Sequence, residues 1–162
     1  MNVEHVIFQS SAWVPNNPDL PVLLYRAALL ELDWSDFETA FAANGWTGIW
    51  RDGVFDFQHY HSGAHEVLGV ASGDATLLIG GVGGQVFHVV KGDCLILPAG
   101  TGHRNLGASP DFEIVGAYPK DQYADIQTAA PTQGMQTTIS TLPIPDTDPV
   151  FGSNGGVLEY WR

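Results

Sequence analysis

Short apolar runs broken by Gly and Pro dominate the chain, and they read as strands. The clearest are Val54–His61, Glu66–Ala71, Ala75–Ile79, Val86–Val90, Cys94–Leu97 and Phe112–Tyr118, with His103 opening another strand between the last two. Turn-forming residues separate them at Ser62-Gly63-Ala64, Ser72-Gly73-Asp74, Gly80 to Gly84, Lys91-Gly92-Asp93 and Pro98 to Gly102. Regularly spaced turns of this kind predict an all-β sandwich or closed barrel. Val3 to Phe8 alternates loosely, as a strand would. Val22 to Leu30 is apolar on every side, so its period leaves strand and helix open. One amphipathic helix is predicted over 35–44, where Ser35-Asp36-Phe37-Glu38 fits a capping box and Gly45 supplies the stop. Phe37 and Phe41 share its apolar face, and Trp34, Trp46 and Trp50 are expected to pack this helix onto the barrel, with lining of the mouth as the alternative for Trp50. The tail has a polar, helix-poor stretch from Thr128 to Thr141, and Val157 to Trp161 alternates enough to add a strand.

Composition narrows this picture. With 162 residues, 44% hydrophobic and 15% charged, one domain is expected. Its expected parts are an arm and helix over 1–48, a barrel core over 49–118 and an extension over 119–162. The 6 Lys and Arg against 18 Asp and Glu leave a net charge of -12, which opposes nucleic acid and anionic membrane surfaces as partners. The single cysteine, Cys94, has no intrachain partner, and no signal-peptide pattern or membrane-length apolar run is present. A cytoplasmic location follows as the expectation.

Histidine carries the candidate chemistry. His59 and His61 are two apart on an expected strand and leave the same face. Phe55 and Phe57 have the same parity, so that face is expected to point inward. Glu66, in step with Leu68 and Val70, is expected to face the same interior. Two imidazoles and a carboxylate from adjacent strands make an N,N,O donor set with open positions, and a buried carboxylate needs a counter-charge. His103, at a strand start beside a Gly-rich turn, is placed to reach the same mouth.

These residues resemble the cupin superfamily. Gly53, five residues, His59-Tyr60-His61, four residues, Glu66, six residues and Gly73 match the first cupin motif at each fixed position. Gly92, five residues, Pro98, one residue, Gly100, two residues and His103 match the second. The second motif often closes with Asn four residues after its His. Gly107 stands there, and Asn105 comes two residues early. Longer stretches, including Val14-Pro15-Asn16-Asn17-Pro18-Asp19-Leu20-Pro21-Val22, are similar to small single-domain bacterial and fungal cupins of uncharacterised function. The resemblance implies a double-stranded β-helix (jelly-roll) barrel with a flanking N-terminal helix. It implies one divalent transition metal ion at His59, His61, Glu66 and His103, and leaves Fe, Mn, Ni, Co, Cu and Zn open.

Other residues have plainer readings. His65 has parity opposite to Glu66 and should point away from the site. Arg51 and Arg104 suit either a substrate anion or an ordinary ion pair, the second being the commoner role. Gly80-Gly81-Val82-Gly83-Gly84 lacks phosphate-loop spacing and reads as a hairpin connection. No Ser–His–Asp or Cys–His arrangement suggests a nucleophile, and no residue is assigned a catalytic role. The expected function is metal-dependent, dioxygenase-like chemistry on a small oxygenated organic molecule. A metal-dependent isomerase or epimerase and a non-catalytic small-molecule-binding cupin are the alternatives. A homodimer is expected, because exposed strand edges pair readily.

Overall fold

The computed structural model describes residues 3–29 and 34–162. Nine strands and three helices run in the order β1 (Val3–Val6), β2 (Val22–Tyr25), α1 (Trp34–Ala43), β3 (Trp46–Asp52), β4 (Glu66–Ser72), β5 (Asp74–Ile79), β6 (Gln85–Val90), β7 (Cys94–Leu97), β8 (His103–Ala108), β9 (Glu113–Pro119), α2 (Gln133–Thr141) and α3 (Gly156–Tyr160). A six-stranded sheet, β1-β2-β7-β4-β9-β3, faces a three-stranded sheet, β6-β5-β8, and all strand pairs are antiparallel.

Alternation along the strands explains the two cores. Leu24, Leu68, Val70 and Leu95 of the large sheet turn inward to meet Leu77, Ile79, Phe87 and Val89 of the small one, filling the barrel. The opposite parity of the large sheet, Leu23, Tyr25, Val67, Ile96, Val115 and Ala117, points outward and is covered by Phe37, Phe41, Val157 and Trp161. Strands buried on both faces read as continuous apolar runs, which is why Val22 to Tyr25 showed no period. The run resolves as a strand there; its last residue, Leu30, lies outside the described residues.

Several expectations are corrected. Val54–His61 is not a regular strand: β3 ends at Asp52, and only His59 and Tyr60 make isolated bridges, to His103 and Gln127. Phe55 and Phe57 are accordingly 47% and 43% exposed instead of buried in the interior; Phe55 still lines the cavity mouth beside His59, and Phe57 does not. Residues 133–141 form helix α2, capped by the Thr132 hydroxyl accepting from the Met135 N–H, where the polar composition suggested no helix. Residues 156–160 form helix α3 rather than a strand. Trp161 just beyond it is buried and donates its indole N–H to the Pro21 carbonyl, so tertiary packing overrides the local alternation. The capping role of Ser35 and the packing of Trp34 fall on side chains outside the described ones.

Candidate metal centre

The first donors sit where regular structure stops. After Asp52 the chain leaves β3 and passes the cavity mouth as a loop. It is recaptured at His59, whose N–H and C=O pair with His103 at the start of β8. His103 itself follows the tight turn Pro98 to Gly102. Gly100 in that turn has φ of +91°, and a Cβ there would stand 2.7 Å from the Asn16 carbonyl, so the turn requires glycine. Glu66 opens β4 and is 3% exposed; His59, His61 and His103 are also buried.

Each ring is oriented by a backbone carbonyl. His59 Nδ1 donates to Phe57 C=O at 3.0 Å and His103 Nδ1 to Thr101 C=O at 3.0 Å, and His61 Nδ1 donates to Asp125 C=O. A carbonyl only accepts, so each of these nitrogens carries its proton, and Nε2 is left as the donor atom facing the site. One ligating nitrogen from each of His59, His61 and His103 lies within 4.8 Å of the others. Glu66 Oε1 stands 3.3 Å from His61 Nε2 and 3.4 Å from His103 Nε2. The oxygen is buried yet makes no well-formed hydrogen bond. The structure therefore brings all four expected residues to one point.

Burial pushes the His59 imidazole down to about 3, and His103 nearby adds to the shift. At His61 burial also opposes charge, but the Glu66 carboxylate outweighs it and raises the pKa. Burial opposes the Glu66 charge as well, and His61 and His103 overcome this to hold its carboxyl below the usual carboxylate range. Tyr118, at the end of β9, is raised first by burial and then by the Glu66 charge its hydroxyl faces. Its oxygen accepts the Trp50 indole N–H at 2.8 Å.

Supporting residues come from segments that carry no motif. Asp125 accepts from the N–H groups of Ser62 and Gly63, each at 2.8 Å, from the Ser62 hydroxyl, and from Gln127 at 2.9 Å. It thereby fastens the loop bearing His61. Asn16, 1% exposed, donates to Gln9 C=O and Gly80 C=O and accepts from Gly102 N–H. Asn17 donates to Ala99 C=O. Together they lace the N-terminal arm to the turn behind His103. The run Pro15-Asn16-Asn17-Pro18 signals a turn in the sequence, but nothing local shows which distant loop it holds.

The remaining candidates lie elsewhere. His65 points away, as its parity implies: Nδ1 accepts from Ala99 N–H at 2.9 Å and the ring packs on Trp161. His5 stacks on Tyr160, and the exposed His88 pairs with Asp74. Arg51 pairs with Glu113 at 3.8 Å, and Arg104 leaves β8 on the side opposite His103. Cys94 is buried and free, its pKa pushed up by burial. Gly80 to Gly84 connects β5 to β6 as a hairpin. Asn105, the displaced motif residue, accepts from Gly107 N–H within β8 and stands apart from the donors.

No family profile matches the chain. Among solved structures, a DUF861 family protein from Thermotoga maritima is 16% identical, covering 59% of this chain and 96% of its own, with a TM-score of 0.37. The DMSP lyase DddQ from Ruegeria pomeroyi DSS-3 is 15% identical, covering 78% and 50%, also with a TM-score of 0.37. Oxalate decarboxylase from Bacillus subtilis is 20% identical, covering 69% and 28%, with a TM-score of 0.36. Similarities of that size carry no inference about chemistry. The two facing antiparallel sheets, with both motif segments meeting at one mouth, are the cupin jelly-roll arrangement in this chain itself. In sequence, "Uncharacterized protein YjlB" of Bacillus subtilis (strain 168) is 35% identical over 156 residues, 95% of this chain and 93% of that protein. On that identity, and on this barrel, the chain belongs to the YjlB family of cupins.

Proposed function

We propose that this protein is a metal-dependent enzyme of the dioxygenase type, acting on a small oxygenated organic molecule. His59, His61, Glu66 and His103 would hold one divalent transition metal ion. The observation that carries the reading is Glu66 Oε1. It is buried without a well-formed hydrogen bond, against two imidazole Nε2 atoms whose rings are already tied off at Nδ1. With each ring proton on Nδ1, three Nε2 lone pairs and a carboxylate oxygen converge and repel unless a proton or cation joins them, and a divalent ion satisfies all four at once. Such an ion supplies a Lewis-acid or redox centre with positions open to oxygen ligands.

The chain's own residues shape the rest of the chemistry. Phe57, Asp125 and Thr101 fix the three rings through their carbonyls. The Trp50 indole and the Glu66 carboxylate hold the Tyr118 hydroxyl between them, directing that hydroxyl at the donor cluster. Leu68 and Trp50 present apolar walls beside the donors.

Elemental analysis of tag-free protein purified without added metal tests the reading, beside His59→Ala and Glu66→Gln. About one equivalent of transition metal, lost in both variants, is the expected result. Iron favours oxygen chemistry; Mn, Ni, Co or Zn favours a Lewis-acid isomerase or epimerase. Absence of metal, with no uptake on reconstitution, would leave a non-catalytic binding barrel.

We also read residues 1–162 as one unit that pairs as a cytoplasmic homodimer. The tail contributes Trp161 and the buried Asp148 to the outer core, and among the described residues β1 leaves one edge of the large sheet unpaired. No helix among the described residues is long and apolar enough to cross a membrane. A monomer by gel filtration, with and without metal, would remove the dimer.

A further inference from the structure

Beside the four donors lies a cavity of about 320 Å³. Away from the histidines its apolar walls include Trp50, Val54, Phe55, Leu68 and Ile126, and the Tyr118 side chain lines it beside Glu66. Among the described residues no Lys or Arg lines it, and Asp52 is its one charged residue besides Glu66. Both arginines that the sequence offered as anion binders are elsewhere, one beside Glu113 and one on the far side of β8. Phe55 stacks on Phe57 with ring centroids 4.7 Å apart and meets the His59 ring edge-on at 5.2 Å. It still leaves 47% of its surface open at the mouth, and Ile126 leaves 52%. Apolar surface kept in water at the entrance of a cavity costs free energy that an apolar ligand would recover. The indole of Trp50 reaches the cavity because β9 has glycine beneath it: a Cβ on Gly116 would stand 2.2 Å from the ring.

We infer that this cavity is a subsite for the aromatic or branched apolar body of a compact substrate, and that it discriminates against ligands with a second anionic group. The inference rests on the metal reading for the polar head only. The cavity volume is roughly ten water volumes at about 30 Å³ each, which limits the body to about one substituted ring. A dianion would face Asp52 and Glu66 with no cation but the metal, whereas a ring meets Phe55, Leu68 and Trp50.

Calorimetric titration of the metal-replete protein with benzoate and with terephthalate tests this, because both bring one ring and one carboxylate and only terephthalate adds a second anionic group. Benzoate should bind at least about tenfold more tightly than terephthalate. Phe55→Ser, at a half-exposed loop position, should weaken benzoate by about fivefold or more while leaving metal content unchanged. Terephthalate binding as tightly as benzoate, or an indifferent Phe55→Ser, overturns the inference. A second arm is independent of metal: fluorine NMR of 4-fluorophenol with chelator-treated protein. Broadening that Phe55→Ser abolishes supports the subsite even if no metal is ever bound. An unperturbed signal in both proteins overturns it while leaving the metal reading standing.

Discussion

At the residue scale, the site depends on what fixes each donor as much as on the donors. Asp125 is the clearest case. Burial opposes its charge, but hydrogen bonds from Ser62, Gln127 and Gly63 outweigh this and hold its pKa down. Asp125→Ala keeps all four proposed ligands and frees the loop that carries His61. Metal affinity should fall by about tenfold or more, measured by competition with a chromogenic chelator. An unchanged affinity would show that the Asp125 backbone carbonyl alone orients His61. The Asp125 link was invisible in the sequence, because residues 62 and 125 meet only through the fold. His59, His61 and Glu66 were legible, because spacing of two along an extended backbone places side chains on one side even where no ladder forms. Burial of Phe55 and Phe57 in the interior failed for the same segment, which runs as an open loop: Phe55 reaches only the cavity mouth and Phe57 lies outside it.

At the scale of elements, β9 and the C-terminal segment decide the shape of the site and its support. Gly116→Ala would drive a methyl group into the Trp50 indole. The ring must then move into the cavity and away from the Tyr118 hydroxyl. Overpacking of this kind costs about 1–3 kcal/mol, expected as a lower urea midpoint together with weaker ligand binding. Equal stability and binding would show that β3 yields instead. The tail is pinned by Asp148, 0% exposed, which accepts from the N–H groups of Val150 and Phe151 and from the Tyr25 hydroxyl. Tyr25→Phe leaves Asp148 Oδ2 with the long Val157 N–H contact at 3.3 Å and takes the acceptor from the buried Gly156 N–H, and should cost about 1–3 kcal/mol of stability while metal content stays constant. Helix α2 escaped the sequence reading because its residues are mostly polar, and α3 because it is only five residues long. Short polar helices form where caps and tertiary contacts hold them.

For the whole molecule, acid should loosen the fold before it protonates every carboxylate. Burial lowers His65 to about 4 from an ordinary 6.5. In the unfolded chain the imidazole takes its proton near 6.5, and the folded protein resists it until about 4. Stability is therefore unaffected above 6.5 and is lost as pH falls from there toward about 4. His65→Gln should flatten that part of a thermal-melt series, at some cost in stability at neutral pH. An unaltered profile would assign the acid sensitivity to other groups. The proposed metal would add a second dependence: at about 100 times its dissociation constant it would contribute about 2.7 kcal/mol, so chelation should lower the melting temperature by several degrees.

The β-rich class, most strand positions, the hairpin at Gly80 to Gly84 and the four candidate donors follow from local order in the chain: alternation, turn residues and fixed motif spacings. Tertiary structure decided the rest. It turned residues 53–58 into an open loop at the mouth, made helices of two tail segments and sent both arginines away from the cavity. It also joined Asn16 to Gly102 and Asp125 to Ser62. Those outcomes depend on contacts between residues far apart in the chain, where burial and hydrogen-bond satisfaction outweigh local preference.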